Sequence, residues 1–403
     1  MKDNETRMSV SPISLNENEN ERRLSILAQT QMTDNQELLD NSQAMFWGMP
    51  PVAITAAGQV LDIELDSLGG YMDTLDIDCK LDVAITVPGG GSAPSLSPFA
   101  PYNIFSKIEV SLGGGAFISV SPYFFYLREL ITHRGWTPDK TLLTPAYAAT
   151  THYSIPAISA PAGATTDNVW RFPIHIPLQA IPKQAWGHIP LGTSAVKCKV
   201  RLTVANTLYG TDQYVSPLYG GTGAITAAIG SSVASYAAPN IDYKMPHKAG
   251  IKPSIGWLLN VQERAFGFVG AGSNNPLKFP DPYQYMRLWM LVIDGTGAPN
   301  TTGVQSLELD PMPGFARKLY NSPSSLARYF QGIRRLYETD LPTGVFCFDL
   351  NTDVHPIDGD GNQNINGVDF QTLQTQLAVT GATNVGAPAR IITYAETFQP
   401  IAF

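Results

Sequence analysis

Between Leu75 and Val87 every second residue is apolar. Leu75, Ile77, Cys79, Leu81, Val83, Ile85 and Val87 alternate with Asp76, Asp78, Lys80, Asp82, Ala84 and Thr86. Side chains of a strand point alternately to opposite faces, so the spacing predicts a strand with one greasy face and one wet, largely acidic face. A helix would scatter the same apolar residues around its circumference. The alternation is long against a usual strand of about five or six residues, and it predicts a wall of a β-sandwich.

The same period recurs on both sides of it. Val60 to Leu65 reads as a strand, as does Ile104 to Leu112, which a glycine turn (Gly113, Gly114, Gly115) joins to Ala116–Val120 as a hairpin. Ser121-Pro122 then opens a short apolar helix over YFFYLRELI, with Ser as N-cap and Pro at the first helical position. In Trp170 to Leu178 the even positions are apolar and the prolines predict an edge or bulged strand. Val196 to Val204 alternates against a basic face. The stretches 136–168 and 220–239 read as long loops, the second rich in Ala, Gly and Ser.

The second half follows the same plan. Ile255–Phe268 is strand-like, and Tyr285–Ile293 reads as a strand buried on both faces. Val304–Leu309, a helix opened by Ser322-Pro323, and the strands Val345–Leu350, Phe370–Val379 and Ile391–Phe398 follow. The two Ser-Pro helix starts lie 201 residues apart, half the chain, and each follows a strand, a Gly-rich turn and a strand. That spacing predicts an internal duplication of one β-sandwich unit. The expected division is an arm over 1–50, partly helical from about Glu21 to Leu39, a first unit over 51–240 and a second over 241–403 with a C-terminal tail. The arm is too polar to fold alone, so it either orders against a partner or stays disordered.

Composition narrows the class. Charged residues make up 15% of the 403 residues, below the roughly 25% of an average soluble protein. Much of the surface is therefore polar and uncharged, which suits a protein covered by copies of itself and equally a loop-rich secreted domain. The net charge of −8 comes without a basic stripe, against direct sequence-specific nucleic-acid binding. Cys79, Cys198 and Cys347 each sit inside an alternating run, which points to small core residues and folding in a reducing compartment. The first residues lack the apolar core of a signal peptide, and no stretch has the roughly 20 apolar residues that span a bilayer.

Five segments in register carry a family resemblance. They are APYNIFSKIEVSLGG (100–114), IPLQAIPKQAWGHIPLGTSAVKCKVRLTVANT (176–207), PYQYMRLWMLVIDGTG (282–297), ARKLYNSPSSLARYFQGIRRLYETDLPTGVFCFDL (316–350), and the Gln-rich helical arm before the first strand. Together they resemble the double jelly-roll major capsid proteins, specifically the tectivirus type of membrane-containing icosahedral bacteriophages. The resemblance implies an all-β fold of two tandem eight-stranded jelly rolls with short helices and an N-terminal helical arm. It also implies a homotrimer with six upright barrels, a pseudo-hexagonal tile of an icosahedral virion shell around an internal membrane and genome. Neighbouring trimers, vertex and minor capsid proteins, and the membrane would be the partners. The loops 136–168, 209–239 and 351–367 depart from the family pattern and leave exterior towers and host unassigned.

The sharpest chemical motif is DGDGNQNINGVD at 358–369. Asp358, Asp360, Asn362, Asn364, Asn366 and Asp369 stand at loop positions 1, 3, 5, 7, 9 and 12, the ligand spacing of a calcium loop. Gln363 occupies the position where such loops place Gly, and no helix precedes it, so a polar turn between strands is the competing reading. No other cofactor is indicated. Asp76, Asp78 and Asp82 share a strand face that could hold a cation between subunits or simply be solvated. Arg22 and Arg23 beside Leu24 and Leu27 could rest on an anionic membrane, or on a neighbouring capsid protein given Glu17, Glu19 and Glu21. No nucleophile elbow, Cys–His pair or placed acid pair is visible, so no enzyme is expected. The competing class is a secreted or surface glycan-binding β-sandwich, marked by a signal peptide and loop aromatics. A β-sandwich hydrolase would need a carboxylate pair.

Overall fold

A computed structural model describes residues 40–66, 68–132, 157–178, 189–191, 197–247, 257–268, 274–279, 284–310, 320–323, 341–349, 368–369, 376–381 and 389–400. In chain order the first half contributes β1 (Ser42–Gly48), β2 (Val52–Ala53), β3 (Val60–Glu64), β4 (Tyr71–Val87), β5 (Ser95–Leu96), β6 (Phe105–Leu112) and β7 (Gly115–Val120). Helix α1 (Tyr123–Thr132) follows, then β8 (Ala164–Pro177), β9 (Ile189–Pro190), β10 (Cys198–Val204), β11 (Leu218–Tyr219), β12 (Thr226–Ile229) and β13 (Tyr236–Pro246). The second half contributes β14 (Trp257–Phe268), β15 (Asn274–Lys278), β16 (Gln284–Ile293), β17 (Val304–Asp310) and β18 (Tyr320–Pro323). It ends with β19 (Val345–Asp349), β20 (Val368–Asp369), β21 (Gln376–Gly381) and β22 (Ala389–Pro400).

The alternating stretch is the centre of the first sheet. β4 runs longer than its apolar alternation, and its odd residues from Leu75 to Val87 are all buried. On one edge it pairs with β8 from Thr74 to Val87; on the other it pairs with β13 and, further along, β12. β1 and β2 lie on the far edge of β13, so this sheet is four strand positions wide. Facing it are β3, β10, β6 and β7, again four positions. Trp170, Phe172, Ile174 and Ile176 of β8 fill the space between with Val200, Leu202, Ile108 and Val110. β8 is an edge strand among the described residues, as its prolines require.

The second unit repeats the plan. β15, β21, β17 and β18 form one sheet. It encloses a second core with β14, β22, β16 and β19, in which Leu277, Leu307, Leu377 and Val379 meet Leu288, Met290, Val292 and Ile391. The units are not merely adjacent. A parallel pairing of Ile118 and Ser119 in β7 with Val261 and Gln262 in β14 joins the inner sheets into a single nine-stranded sheet.

β16 shows how that shared sheet is filled. Tyr285, Leu288, Met290 and Val292 face the second core, while Met286, Trp289, Leu291 and Ile293 belong to the first. A register irregularity between Tyr285 and Arg287 shifts the alternation there. The strand is buried on both faces, as its continuous apolar run predicts.

Several expectations change. Residues 42–48, assigned from the sequence to the arm, form strand β1, and β13 runs across the 240/241 boundary. The loop expected over 136–168 gives way to strand from Ala164, and 220–239 contains β12 and the start of β13. Ser322 and Pro323 lie in β18, and the helix expected beyond them falls outside the described residues. Helix α1 begins at Tyr123, and the Ser121 hydroxyl bonds across to Tyr394 at 2.9 Å. The three cysteines are free and buried, and burial pushes the Cys198 thiol up to about 12.

Candidate functional site

Two regions stand out against a surface of ordinary polar strands: the seam between the units, and the outer edge of the first unit. At the seam the chain buries charge deliberately. Arg128 projects from α1 in the first unit and reaches Glu396 on β22 in the second, Nε to Oε2 at 3.4 Å. Glu396 is fully buried and also accepts from Trp289 Nε1 at 2.6 Å and Arg287 Nη1 at 3.4 Å. Three donors around one carboxylate supply what water would have supplied. Phe124 packs edge-on against Trp289, with ring centroids 6.5 Å apart, and lies tilted on Tyr394 at 5.4 Å.

A second cluster lies beside it. Glu263 of β14 accepts from the Ser121 backbone N–H at 2.6 Å and from the Tyr214 hydroxyl at 2.9 Å. Tyr214 and Tyr394 hydroxyls lie 3.0 Å apart, and both reach Ser121 Oγ. Burial pushes the Glu263 carboxyl up, while its hydrogen bonds and the charge of Lys107 act in the other direction. Both tyrosines are held well above the ordinary phenol value, again mainly by burial.

The loop carrying Tyr214 is clamped from the second unit. Arg390 Nη2 bonds Asp212 Oδ2 at 2.5 Å, and its guanidinium lies 5.9 Å from the Tyr214 ring centroid. The Gln213 amide donates to Thr296 O at 2.9 Å. Gly297 stands against this loop at φ +76°, and a Cβ there would sit 2.1 Å from Asp212 Oδ1. Only glycine fits a left-handed residue in so close an approach.

The outer edge is the opposite in character. β1 borders the first sheet and pairs only with β13 among the described residues. Its Met45, Phe46 and Trp47 are 38%, 65% and 44% exposed. Trp47 Nε1 donates to Asp66 Oδ2 at 3.0 Å, which ties the strand to the segment after β3. Val60 of β3, the edge strand of the facing sheet, is 50% exposed.

No protein-family model matches the chain, and no curated protein matches it in sequence. Solved structures do match. The STIV MCP, from Sulfolobus Turreted Icosahedral Virus, aligns at TM-score 0.60 with 14% identity, over 88% of this chain and 96% of its own. The PBCV-1 virus capsid protein aligns at 0.57 and 11%, over 89% and 94%. The Faustovirus major capsid protein aligns at 0.53 and 8%, over 90% and 91%. The fold is a double jelly roll. Within it the seam clusters join the two jelly rolls, and β1 borders the first, paired among the described residues with β13 alone.

The residues singled out from the sequence fare differently. Asp358, Asp360, Asn362, Asn364 and Asn366 lie outside the described residues, while Asp369 sits in β20 opposite Gln284 of β16. Arg22, Arg23, Leu24 and Leu27 also lie outside them. Among the described residues no group of three or more His, Cys, Asp or Glu side chains is gathered to hold a metal. Nor is any helix there long and apolar enough to cross a bilayer.

The Asp face of β4 is not uniformly wet. Asp76 bonds His175 at 2.5 Å, and burial together with Asp76 and Asp73 raises the carboxyl of Asp242. Asp82 is fully buried, because the turn after β12 folds over it. Its Oδ2 accepts from Ser232 N and Oγ at 2.8 Å and from Val233 N at 3.1 Å. Sequence reasoning missed the seam altogether. The available signal was charge inside apolar runs: Arg128 in YFFYLRELI and Glu396 in IITYAETF.

Proposed function

We propose that the chain is a major capsid protein that self-assembles as pseudo-hexagonal trimers into an icosahedral shell around an internal membrane and genome. The observation that carries this reading is the double jelly roll itself, aligned over nearly the whole length of proteins named as viral capsid subunits. The buried seam supports it physically. Two barrels locked through one sheet and two polar clusters behave as a rigid block, the form that a tile needs to keep its neighbours in register.

The chain acts through faces and carries no catalytic centre in this reading. Each jelly roll is one unit, the first taking in β1 and running through β13 to Pro246 and the second following it, and the arm ahead of β1 faces inward. Arg22, Arg23, Leu24 and Leu27 meet the membrane or a neighbouring trimer there. Vertex and minor capsid proteins complete the partners, and the virion capsid is the location after folding in the host cytoplasm. Whether the 358–369 loop holds Ca²⁺ as a structural ion is tested by chelation: a fall in Tm on chelation, lost in Asp358→Ala, supports the ion. An unchanged wild-type Tm removes it. The function is tested by expressing the chain alone and imaging it by electron microscopy. Trimeric tiles or closed shells are expected; a dispersed monomer under all assembly conditions overturns the proposal.

A further inference from the structure

The outer edge of β1 has a hydrogen-bonding phase that can be read from its paired side. Asn41 O accepts from His247 N at 2.8 Å, and Met49 N donates to Pro239 O at 2.9 Å. In an antiparallel ladder residues that exchange bonds with a partner alternate with residues that do not. The odd residues of β1 therefore bond β13, following the register that sets Met45 opposite Tyr243. The even residues, Ser42, Ala44, Phe46 and Gly48, direct their backbone groups outward, where nothing among the described residues pairs with them.

Edge strands usually carry a charge, a proline or a bulge that blocks further pairing. Ser42–Gly48 carries no charged residue and no proline, and it exposes three large apolar side chains.

We propose that this edge pairs with the same edge of a second copy, antiparallel about a two-fold axis through Met45. The inference rests on the capsid reading, in which neighbouring tiles must meet, and it names the contact.

The strand is self-complementary in that register. Ala44 falls opposite Phe46 of the second copy and Ser42 opposite Gly48, so the bulky Phe46 meets a small residue and no two large side chains of this set collide. These are the residues whose backbone groups point outward, so every pair of them can exchange both bonds. The charges agree as well. On β13, Asp242 stands beside Phe46 and Lys244 beside Ala44, so each cross-copy row ends in an acid on one side and a base on the other. At three strand spacings, about 14 Å, that complementarity biases register more than it adds affinity. A two-fold contact of this kind is isologous and closed, each copy offering the same patch.

The register makes a sharp test. Met45 meets Met45 as a non-hydrogen-bonded pair, with Cα atoms about 4.5 Å apart, within disulfide range. Gln43 lies opposite Trp47, which leaves the two copies of Gln43 about 14 Å apart. The native cysteines are buried, so the full-length chain bearing Met45→Cys can be oxidised mildly and run on a non-reducing denaturing gel. Linked dimers are expected for Met45→Cys and at least tenfold fewer for Gln43→Cys. Adding Phe46→Lys to Met45→Cys is expected to cut the dimer yield at least tenfold. Equal yields from positions 43 and 45 overturn the register. Shells that form while Met45→Cys stays unlinked overturn the contact and leave the capsid reading standing. A chain that forms neither dimers nor shells overturns both.

Discussion

The seam and the β1 edge divide the chemistry of one molecule in opposite ways. At the seam, Glu396, Arg128 and Glu263 are charged groups placed inside, each with donors or acceptors supplied by the other unit. At the edge, Met45, Phe46 and Trp47 are apolar groups placed outside, beside backbone groups that pair with no other strand among the described residues. Where the chain can satisfy itself it buries polarity; where it depends on another molecule it leaves hydrophobic surface uncovered. The first arrangement fixes the two barrels as one body, and the second gives that body a place to join another.

The largest effect is expected from Arg128→Ala, which leaves Glu396 buried with less compensation; a loss of about 3–5 kcal/mol is expected in denaturant unfolding. Loss of less than about 1 kcal/mol would mean that Arg287 and Trp289 suffice, and that α1 does not lock the units. Next is Gly297→Ala. The added methyl meets the Asp212 side chain and the backbone nitrogens of Gln213 and Tyr214 at a left-handed residue, so about 2 kcal/mol or more should be lost. An unchanged Tm would show that the Tyr214 loop is not clamped.

Glu263 gives a smaller, pH-dependent effect. Its folded value is raised above its unfolded one, so its stabilising contribution is fully present below the ordinary glutamate range. That contribution is lost as pH rises through the raised folded value. Unfolding free energy of the wild type should therefore climb on acidification through that window relative to Glu263→Gln. Parallel pH profiles for the two proteins would contradict it. The smallest effect on the fold is expected at the edge: Phe46→Lys should change unfolding free energy by no more than about 0.5 kcal/mol, because the side chain is already in solvent. A large loss there would mean that Phe46 is part of the core.

Much of the fold is legible in period alone. β4, β8, β10 and β16 follow from alternation or continuous burial, because their faces contrast in environment and the residues record the contrast. β1 is not legible. SQAMFWG has large apolar side chains on both faces and no polar face to set a phase, which is how a strand awaiting a partner looks. The start of β13, 236–239, reads as loop because its small residues and Pro239 weaken the signal, although Ala237 is buried. Asp82 reads as a wet residue because what covers it, residues 230–235, lies some 150 positions away. The seam is non-local in the same sense: an acid in an apolar run shows that a partner exists, and only the fold shows that the partner is Arg128.

The central claim is that this block is a subunit of a larger shell, and the solution mass of the purified chain tests it most directly. Light scattering behind size exclusion should give a particle of three 43.6 kDa chains, or multiples of it. A single 43.6 kDa species that persists at high concentration and across salt and pH would contradict the account.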